Sequence, residues 1–326
     1  MAEGLTYRYP SGRVGLDGVS LLARPGQVTG LVGPNGSGKT TLLRLLAGEK
    51  APTAGNLHIL GQEADPGPAL WRTVGWLRDQ PIHLEHLTGE ENLEFFLFLS
   101  RAGGKKASRR AAELAEAFHL SGSAGVPVGH YSLGMRRKLL ATEVLAREPP
   151  LLLLDEPTVA LDPAGVKTLE REVRRASERG AVVFLATNEV VETPRWCHRI
   201  VFLHEGRVAA EGPRTELLRR VRGRTRITVK LSETIPGDTV EEAVVAVSGV
   251  HRCWVHGDTT EVESVEGSRL LPELLGTILE TGALIRDVRI REPDLSDLFR
   301  EITGEELASQ PKSAGSDGPD SSEGPP

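Results

Sequence analysis

The chain has 326 residues, of which 39% are hydrophobic and 26% are charged, and its formal net charge is -6. These values are typical of a soluble globular protein, and the lack of a basic excess argues against nucleic acid as a partner. The longest apolar runs are far shorter than the ~20 residues of a membrane-spanning helix. The N-terminus shows no signal-peptide pattern, and the two cysteines suit a reducing cytoplasm. We therefore expect a cytoplasmic protein that reaches any membrane through a partner.

Residues 1–220 alternate short apolar runs with helical patterns, which predicts an α/β domain with a mainly parallel sheet. Strands are predicted at Gln27–Val32, Leu151–Leu154 and Val182–Ala186, and a helix at Thr40–Leu46. Between the first two strands, helical periodicity at Gly89–Arg101 and Ser108–Leu120 indicates an inserted helical subdomain.

Residues 221–307 follow a different pattern, in the order β-α-β-β-α-β. This order predicts a small α+β ferredoxin-like domain, closed by a helix at Leu295–Ile302. Residues 308–326 are polar and are expected to form a disordered tail. The junction between the two regions is rich in arginine: Arg219, Arg220, Arg222, Arg224 and Arg226. These side chains could contact anionic lipid or nucleic acid, but a solvated helix end and linker is the interpretation that we favour.

The most specific motif is Gly33-Pro34-Asn35-Gly36-Ser37-Gly38-Lys39-Thr40, which fits the P-loop pattern G-x-x-x-x-G-K-[ST]. The glycines let successive backbone N–H groups turn inward toward phosphate oxygens, and the following helix adds its positive dipole end. Lys39 is predicted to reach the β- and γ-phosphates of ATP and Thr40 to bind Mg²⁺, with Thr41 next to them. A simple glycine turn is disfavoured by the strand–loop–helix context.

Two carboxylates, Asp155 and Glu156, follow the apolar run Leu151–Leu154. The carboxyl end of a buried strand is where an open α/β sheet places its ligands. Asp155 is predicted to hold Mg²⁺ through water, and Glu156 to polarise the attacking water as general base. A helix cap or turn is the alternative, which the presence of the P-loop makes less attractive.

With these motifs the chain resembles the ATP-binding cassette family of P-loop NTPases over roughly residues 3–215. Tyr131–Lys138 is similar to the family's LSGGQ signature, although the segment read alone is a capped amphipathic helix. The resemblance implies that Ser132 and Gly134 contact the γ-phosphate of ATP on a second cassette. It also implies that Asp162 orients the loop that passes between the two subunits.

Other positions are compared with the family one at a time. Tyr9 occupies the place of the aromatic residue that stacks on adenine, with Tyr7 as the alternative. At the family's usual glutamine, before the helical subdomain, this chain has Asp79, and Gln80 follows one residue later.

Where the family has a histidine that contacts the γ-phosphate, this chain has Asn188. Loss of one such transition-state donor typically costs ~10²–10³ in rate, so we expect slow hydrolysis. His83 and His86 suggest a metal site, but a surface loop is the interpretation that we favour.

The segment Glu292–Gly304 resembles the closing helix of ATP-binding subunits that serve drug, antibiotic and lipid exporters. We therefore expect an ATPase that couples dimer closure to export, bound to a separate transmembrane permease on the inner face of the membrane. The second cassette could be identical or different. An alternative is an ATP-gated, hydrolysis-impaired module that pairs with another cassette. A soluble cassette that acts on ribosomes or DNA is a third hypothesis.

Overall fold

The computed structural model describes residues 1–65, 67–100, 104–189, 193–221, 225–232 and 237–305. The predicted tail at 308–326 lies outside the described residues, as do Arg222 and Arg224 of the arginine-rich junction. Within the described ranges, no helix is long and apolar enough to cross a membrane.

The strands and helices are numbered in chain order. The strands are β1 (Ala2–Arg8), β2 (Val14–Leu21), β3 (Val28–Val32), β4 (Ala54–Ile59), β5 (Gln62–Glu63), β6 (Val74–Leu77), β7 (Leu151–Asp155), β8 (Val182–Thr187), β9 (Arg199–His204), β10 (Arg207–Pro213), β11 (Thr225–Leu231), β12 (Val250–His256), β13 (Thr259–Ser264) and β14 (Ile285–Arg291). The helices are α1 (Lys39–Leu46), α2 (Pro68–Thr73), α3 (Gly89–Leu99), α4 (Lys105–Ala117), α5 (Leu133–Ala146), α6 (Pro163–Glu178), α7 (Arg214–Arg220), α8 (Gly237–Val245), α9 (Leu271–Glu280) and α10 (Leu295–Thr303).

The central sheet has the strand order β10-β9-β3-β8-β7-β6, in which only β10 runs antiparallel to its neighbour. Every residue of β3, β7 and β8 is buried, because helices or strands cover both faces of a parallel sheet. The predicted α/β fold with a mainly parallel sheet is confirmed. Since β8 lies between β3 and β7, the P-loop and the two carboxylates meet at one edge of the sheet.

A separate antiparallel sheet, in the order β2-β1-β4-β5, covers one side of α1. The sequence pattern did not predict it. The pairing of β1 with β2 has three register shifts, and these interrupt the alternation of apolar and polar residues by which strands are recognised. This sheet carries Tyr7 and positions Tyr9, which follows β1 directly.

The helical subdomain consists of α3, α4 and α5, which pack on one another. Helix α3 begins with a capping box formed by Thr88 and Glu91. Helix α5 is capped by Ser132, whose side chain accepts a hydrogen bond from the backbone N–H of Met135. Both predicted helices of this region are present, although α4 begins earlier than predicted.

The C-terminal unit is an antiparallel sheet in the order β12-β13-β11-β14, with α8 and α9 in the connections. Its element order and strand neighbours are those of the ferredoxin-like fold. The unit has a core of its own, built from residues such as Ile227, Val229, Val262 and Leu274.

Helix α10 does not pack on that C-terminal core. Its buried side chains, Leu295, Leu298 and Phe299, belong to the core that the central sheet shares with the helical subdomain. The ring of Phe299 lies 5.6 Å from that of Phe202 and 6.0 Å from that of His204, measured between centroids. The chain therefore leaves the first core after α7, forms the C-terminal unit, and returns to the first core with α10.

Candidate functional site

The P-loop curls tightly between β3 and α1, and its glycines are required by the local geometry. Gly36 and Gly38 have φ values of +85° and +108°, in the left-handed region that glycine adopts without steric cost. A Cβ atom on Gly33 would lie 2.1 Å from the carbonyl oxygen of Leu203. The loop therefore rests directly on the end of β9.

Lys39 lies across this loop. Its ammonium group donates hydrogen bonds to the carbonyl oxygens of Gly33 at 2.7 Å and Pro34 at 3.0 Å. Burial lowers the pKa of Lys39, whereas the charges of Glu156 and Asp155 oppose that shift. No side chain in the described part of the chain caps the N-terminus of α1, so its first N–H groups are available for phosphate oxygens. The loop fits the triphosphate of a nucleotide.

Asp155 ends β7 beside the start of α1. The hydroxyl of Thr40 donates a hydrogen bond to its Oδ1 at 3.3 Å. Burial raises the pKa of Asp155, and the hydrogen bond from Thr40 and the charge of Lys39 oppose that shift. Across the described ranges, no group of three or more His, Cys, Asp or Glu side chains is arranged to hold a metal ion. Oxygen ligands from a hydroxyl and one carboxylate, completed by phosphate oxygens, are what Mg²⁺ usually takes in nucleotide sites.

Glu156 is held in an unusual backbone conformation. Its φ is +44°, a value that costs energy for a residue other than glycine and that is typical of functional sites. Its Oε1 accepts a hydrogen bond from the backbone N–H of Asn188 at 2.8 Å, and its Oε2 accepts one from the hydroxyl of Thr187 at 3.2 Å. Burial raises its pKa, against the charge of Lys39 and these two hydrogen bonds. The contact of Asn188 with this carboxylate is made by its backbone.

These groups line one cavity of about 410 Å³. Its charged lining residues are Arg13, Lys39, Arg44, Asp79, Asp155 and Glu156. The hydroxyl of Tyr9 is 2.7 Å from that of Thr41, and the guanidinium of Arg13 lies 4.7 Å from the centre of the Tyr9 ring. Tyr7 is buried with its ring edge-on to that of Tyr9, so Tyr9 is the aromatic residue that the cavity presents.

The cavity also separates the two candidates for the family's glutamine position. Asp79 lines it, whereas Gln80 is exposed and is not a lining residue. A one-residue shift that would bring Gln80 into the site is therefore not seen. Asp79 is paired from behind by Arg137, whose Nη2 lies 3.0 Å from its Oδ1.

The signature segment does not line this cavity. Ser132 and the start of α5 are exposed, and a Cβ atom on Gly134 would lie 2.7 Å from the carbonyl oxygen of Ala160. Asp162 caps α6 through the backbone N–H of Gly165 at 2.8 Å and is 3.0 Å from Nζ of Lys138, which holds the pKa of this carboxyl below its usual range. The signature segment and the loop before α6 thus form one outward-facing surface.

Three arginines of the site were not singled out by sequence reasoning: Arg13, Arg44 and Arg137. A signal existed for Arg137, which precedes Leu140 and Ala141 by three and four residues and so shares the buried side of α5. Arg13 lies in a turn, where periodicity carries no information about contacts.

Comparisons with known proteins agree with this geometry. The model of the ABC transporter family matches residues 16–159, which include the P-loop, the signature and the acidic strand. The daunorubicin resistance ATP-binding protein DrrA3 of Streptomyces coeruleorubidus is 35% identical over 311 residues, covering 93% of this chain and 95% of that protein. The chain belongs to the ATP-binding cassette (ABC) family. A doxorubicin resistance ATP-binding protein of Mycobacterium tuberculosis is 33% identical over 313 residues, with 93% of each chain covered.

Solved structures show the same cassette fold. An ATP-binding subunit of an ABC transporter superposes with a TM-score of 0.63 at 29% identity, covering 67% of this chain and 91% of that one. A dimeric ATP-binding cassette in a post-hydrolysis state, bound to ADP and Pi, gives 0.59 at 27% identity, covering 65% and 97%. This ABC protein is accordingly an ATPase, of the type found in drug exporters.

Proposed function

We propose that this ABC ATPase is the ATP-binding subunit of an exporter, in which two cassettes close on Mg-ATP and drive transport through a separate transmembrane permease. The observation that carries the proposal is the Glu156 carboxylate, held beside the P-loop by Asn188 and Thr187 in a position to act as general base. Relatives named for daunorubicin and doxorubicin resistance match more than nine-tenths of the chain, which supports drug-like substrates.

In the proposed reaction, Lys39 and the N–H groups at the start of α1 bind the β- and γ-phosphates. Thr40 and Asp155 would hold Mg²⁺, which neutralises phosphate charge when it is bound. Glu156 accepts a proton from the water that attacks the γ-phosphate, and the two groups that bond its carboxylate keep it directed at that water.

The second cassette is proposed to bind at the outward-facing surface of the signature. Leu133 and Val159 are 56% and 41% exposed there, and both side chains would lose contact with water in a dimer. In this arrangement Ser132 and Gly134 contact ATP held by the other cassette, and Asp162 keeps the intervening loop in place.

We further propose the division of the chain into an ATP-binding domain at 1–220, an accessory α+β domain at 221–307 and a disordered tail at 308–326. The ATPase would lie on the cytoplasmic face of the membrane through the permease, with no role for nucleic acid.

Substitution of Glu156 by Gln tests the function. We expect ATP binding to remain and Mg-ATP hydrolysis by the purified chain to fall by ~10²–10⁴, since the general base is removed. Glu280→Gln, on an exposed position of α9, is the control and should hydrolyse like the wild type. Equal turnover in Glu156→Gln and wild type would refute the role of this carboxylate.

Substitution of Asn188 distinguishes the exporter hypothesis from the hypothesis of an ATP-gated module. If the missing histidine limits the rate, Asn188→His should increase kcat by ~10²–10³-fold, the change typical of one such donor. ATP binding without hydrolysis in both proteins, alone and with the permease, would instead favour the gated module.

A further inference from the structure

We propose that Arg137 is a positioning residue that joins the signature helix to the hydrolysis site of its own cassette. It holds the Asp79 carboxylate and the backbone of Glu156 together from behind the cavity. The proposal rests on the ATPase function above. It connects, within one cassette, the ATP cavity with the signature surface that faces the ATP of the second cassette.

The guanidinium of Arg137 contacts three groups in two segments of chain, residues 78–79 and Glu156. Its side chain is only 2% exposed. Nη1 donates to the carbonyl oxygen of Arg78 at 2.7 Å, and Nη2 donates to Oδ1 of Asp79 at 3.0 Å and to the carbonyl oxygen of Glu156 at 3.2 Å. Nη2 carries two hydrogens, one for each of its two acceptors. A lysine could not reproduce this fork of directed donors.

The contact with Glu156 acts on a residue whose backbone is strained. Its N–H donates to the carbonyl oxygen of Ala186 at 2.9 Å, and its carbonyl oxygen accepts from Arg137 at 3.2 Å and from the backbone N–H of Val159 at 3.3 Å. Both backbone polar groups of Glu156 are therefore fixed, which keeps φ at +44° and the carboxylate directed into the cavity.

The contact with Asp79 acts on the metal side of the cavity. Asp79 and Asp155 both line it, and the charge of Asp79 helps to raise the pKa of Asp155, so the two carboxylates are close enough to repel. The charge of Arg137 offsets part of that repulsion. Asp79 would thereby be available as an oxygen ligand when Mg²⁺ is bound by Thr40 and Asp155, at a position where the family usually has a neutral amide.

A second buried pair ties the same segment to α5. Nε2 of His83 lies 3.3 Å from Oε1 of Glu143, with side chains 1% and 5% exposed. His83 lies in the loop before α3, as expected, but its side chain is buried beside α5 and edge-on to Phe96, whereas His86 is exposed. Residues 78–83 are therefore held to α5 at both ends.

The connection between the signature surface and the ATP cavity runs along α5. Ser132 caps the exposed end of α5, and Arg137 lies about 1.4 turns further along. A displacement of that end by nucleotide on a second cassette is carried by the rigid helix to Arg137, and from there to Asp79 and Glu156.

The test compares Arg137→Met and Arg137→Lys with Arg147→Met in the purified full-length chain. Arg147 is a matched control, because it lies at the other end of α5 and donates to the carbonyl oxygens of Trp71, Arg72 and Val74, away from the cavity. Mn²⁺ affinity is measured by electron paramagnetic resonance with a saturating non-hydrolysable ATP analogue. kcat and KM are measured in parallel.

We expect both Arg137 variants to lower Mn²⁺ affinity and kcat by about 10- to 100-fold, as is typical when the partner of a metal-facing ligand is removed. KM for ATP should change little, and Arg147→Met should leave Mn²⁺ affinity unchanged. Adding Arg137→Met to Asp79→Ala should cause little further loss of Mn²⁺ affinity, since both changes remove the contact between these two side chains.

Mn²⁺ affinity in Arg137→Met equal to that in Arg147→Met, or losses that simply add in the double variant, would overturn the proposal. Should Arg137→Met fail to fold, Arg137→Lys and Asp79→Ala decide: wild-type Mn²⁺ affinity in both would also overturn it. Metal affinity needs neither hydrolysis nor a permease, so failure of this proposal is distinct from failure of the exporter assignment.

Discussion

Glu156 shows the conflict between stability and catalysis at the scale of a single residue. The carboxylate must be ionised to accept a proton, yet its burial favours the neutral form and raises its pKa above the ordinary 4.5. A left-handed backbone adds to the cost. The residue is held in this arrangement by Arg137 of α5, by Thr187 at the end of β8 and by Asn188, which follows it.

This conflict predicts a pH-dependent stability. In the range between 4.5 and the raised pKa, the folded chain binds a proton at Glu156 that the unfolded chain does not, so stability falls as the pH rises through this range. Glu156→Gln removes the effect. We expect it to unfold at a higher temperature than the wild type at pH 8 and at nearly the same temperature at pH 4. A constant difference in melting temperature at both pH values would contradict this prediction.

The chemistry of the site could be predicted where it is local in sequence. Lys39 and Thr40 belong to a continuous motif, and Asp155 with Glu156 directly follows an apolar run. The bond from Arg137 to Arg78 spans 59 positions and could not be found that way. Pairing of this kind depends on where two elements meet, which no short window of sequence records.

At the scale of elements, α10 shows the same difference between a feature that is local in sequence and a contact that is not. Its range was predicted to within one residue, because an apolar stripe at Leu295, Leu298 and Phe299 repeats with the helical period. The apolar stripe does not indicate which surface of the protein covers it. The structure places it against the first core rather than on the C-terminal unit.

Phe299→Ala tests that placement. Removal of a fully buried phenylalanine ring typically costs about 3–5 kcal/mol, and here the cavity would open beside Phe202. We expect urea denaturation to show this loss in the free energy of unfolding of the cassette, measured by following the loss of nucleotide binding. Ile302→Ala, at a position that is 42% exposed, should stay within about 0.5 kcal/mol of the wild type. An unchanged transition in Phe299→Ala would show that α10 does not stabilise the cassette.

At the scale of the whole molecule, the C-terminal unit is joined to the cassette at both of its ends. Its first and last strands, β11 and β14, are neighbours in the sheet, and Arg226 is paired with Arg291 across them. Entry and exit of the chain are therefore side by side, and the unit has its own core.

This topology predicts different outcomes for two deletions. Replacement of residues 226–291 by a short glycine-rich turn keeps α10 and should leave a folded cassette that still binds ATP. Truncation after residue 221 removes Leu295, Leu298 and Phe299 from the first core and should lower the melting temperature markedly. Thermal unfolding and binding of a fluorescent ATP analogue measure both, and equal stability of the two deletions would contradict the prediction.

The return of the chain to the first core also connects the C-terminal unit mechanically to the cassette. After β14 the chain enters α10, and α10 packs against α7 and β10. The next strand of that sheet is β9, whose end supports Gly33 of the P-loop. A pull on the C-terminal unit would thus reach the rear of the phosphate site through α10, β10 and β9.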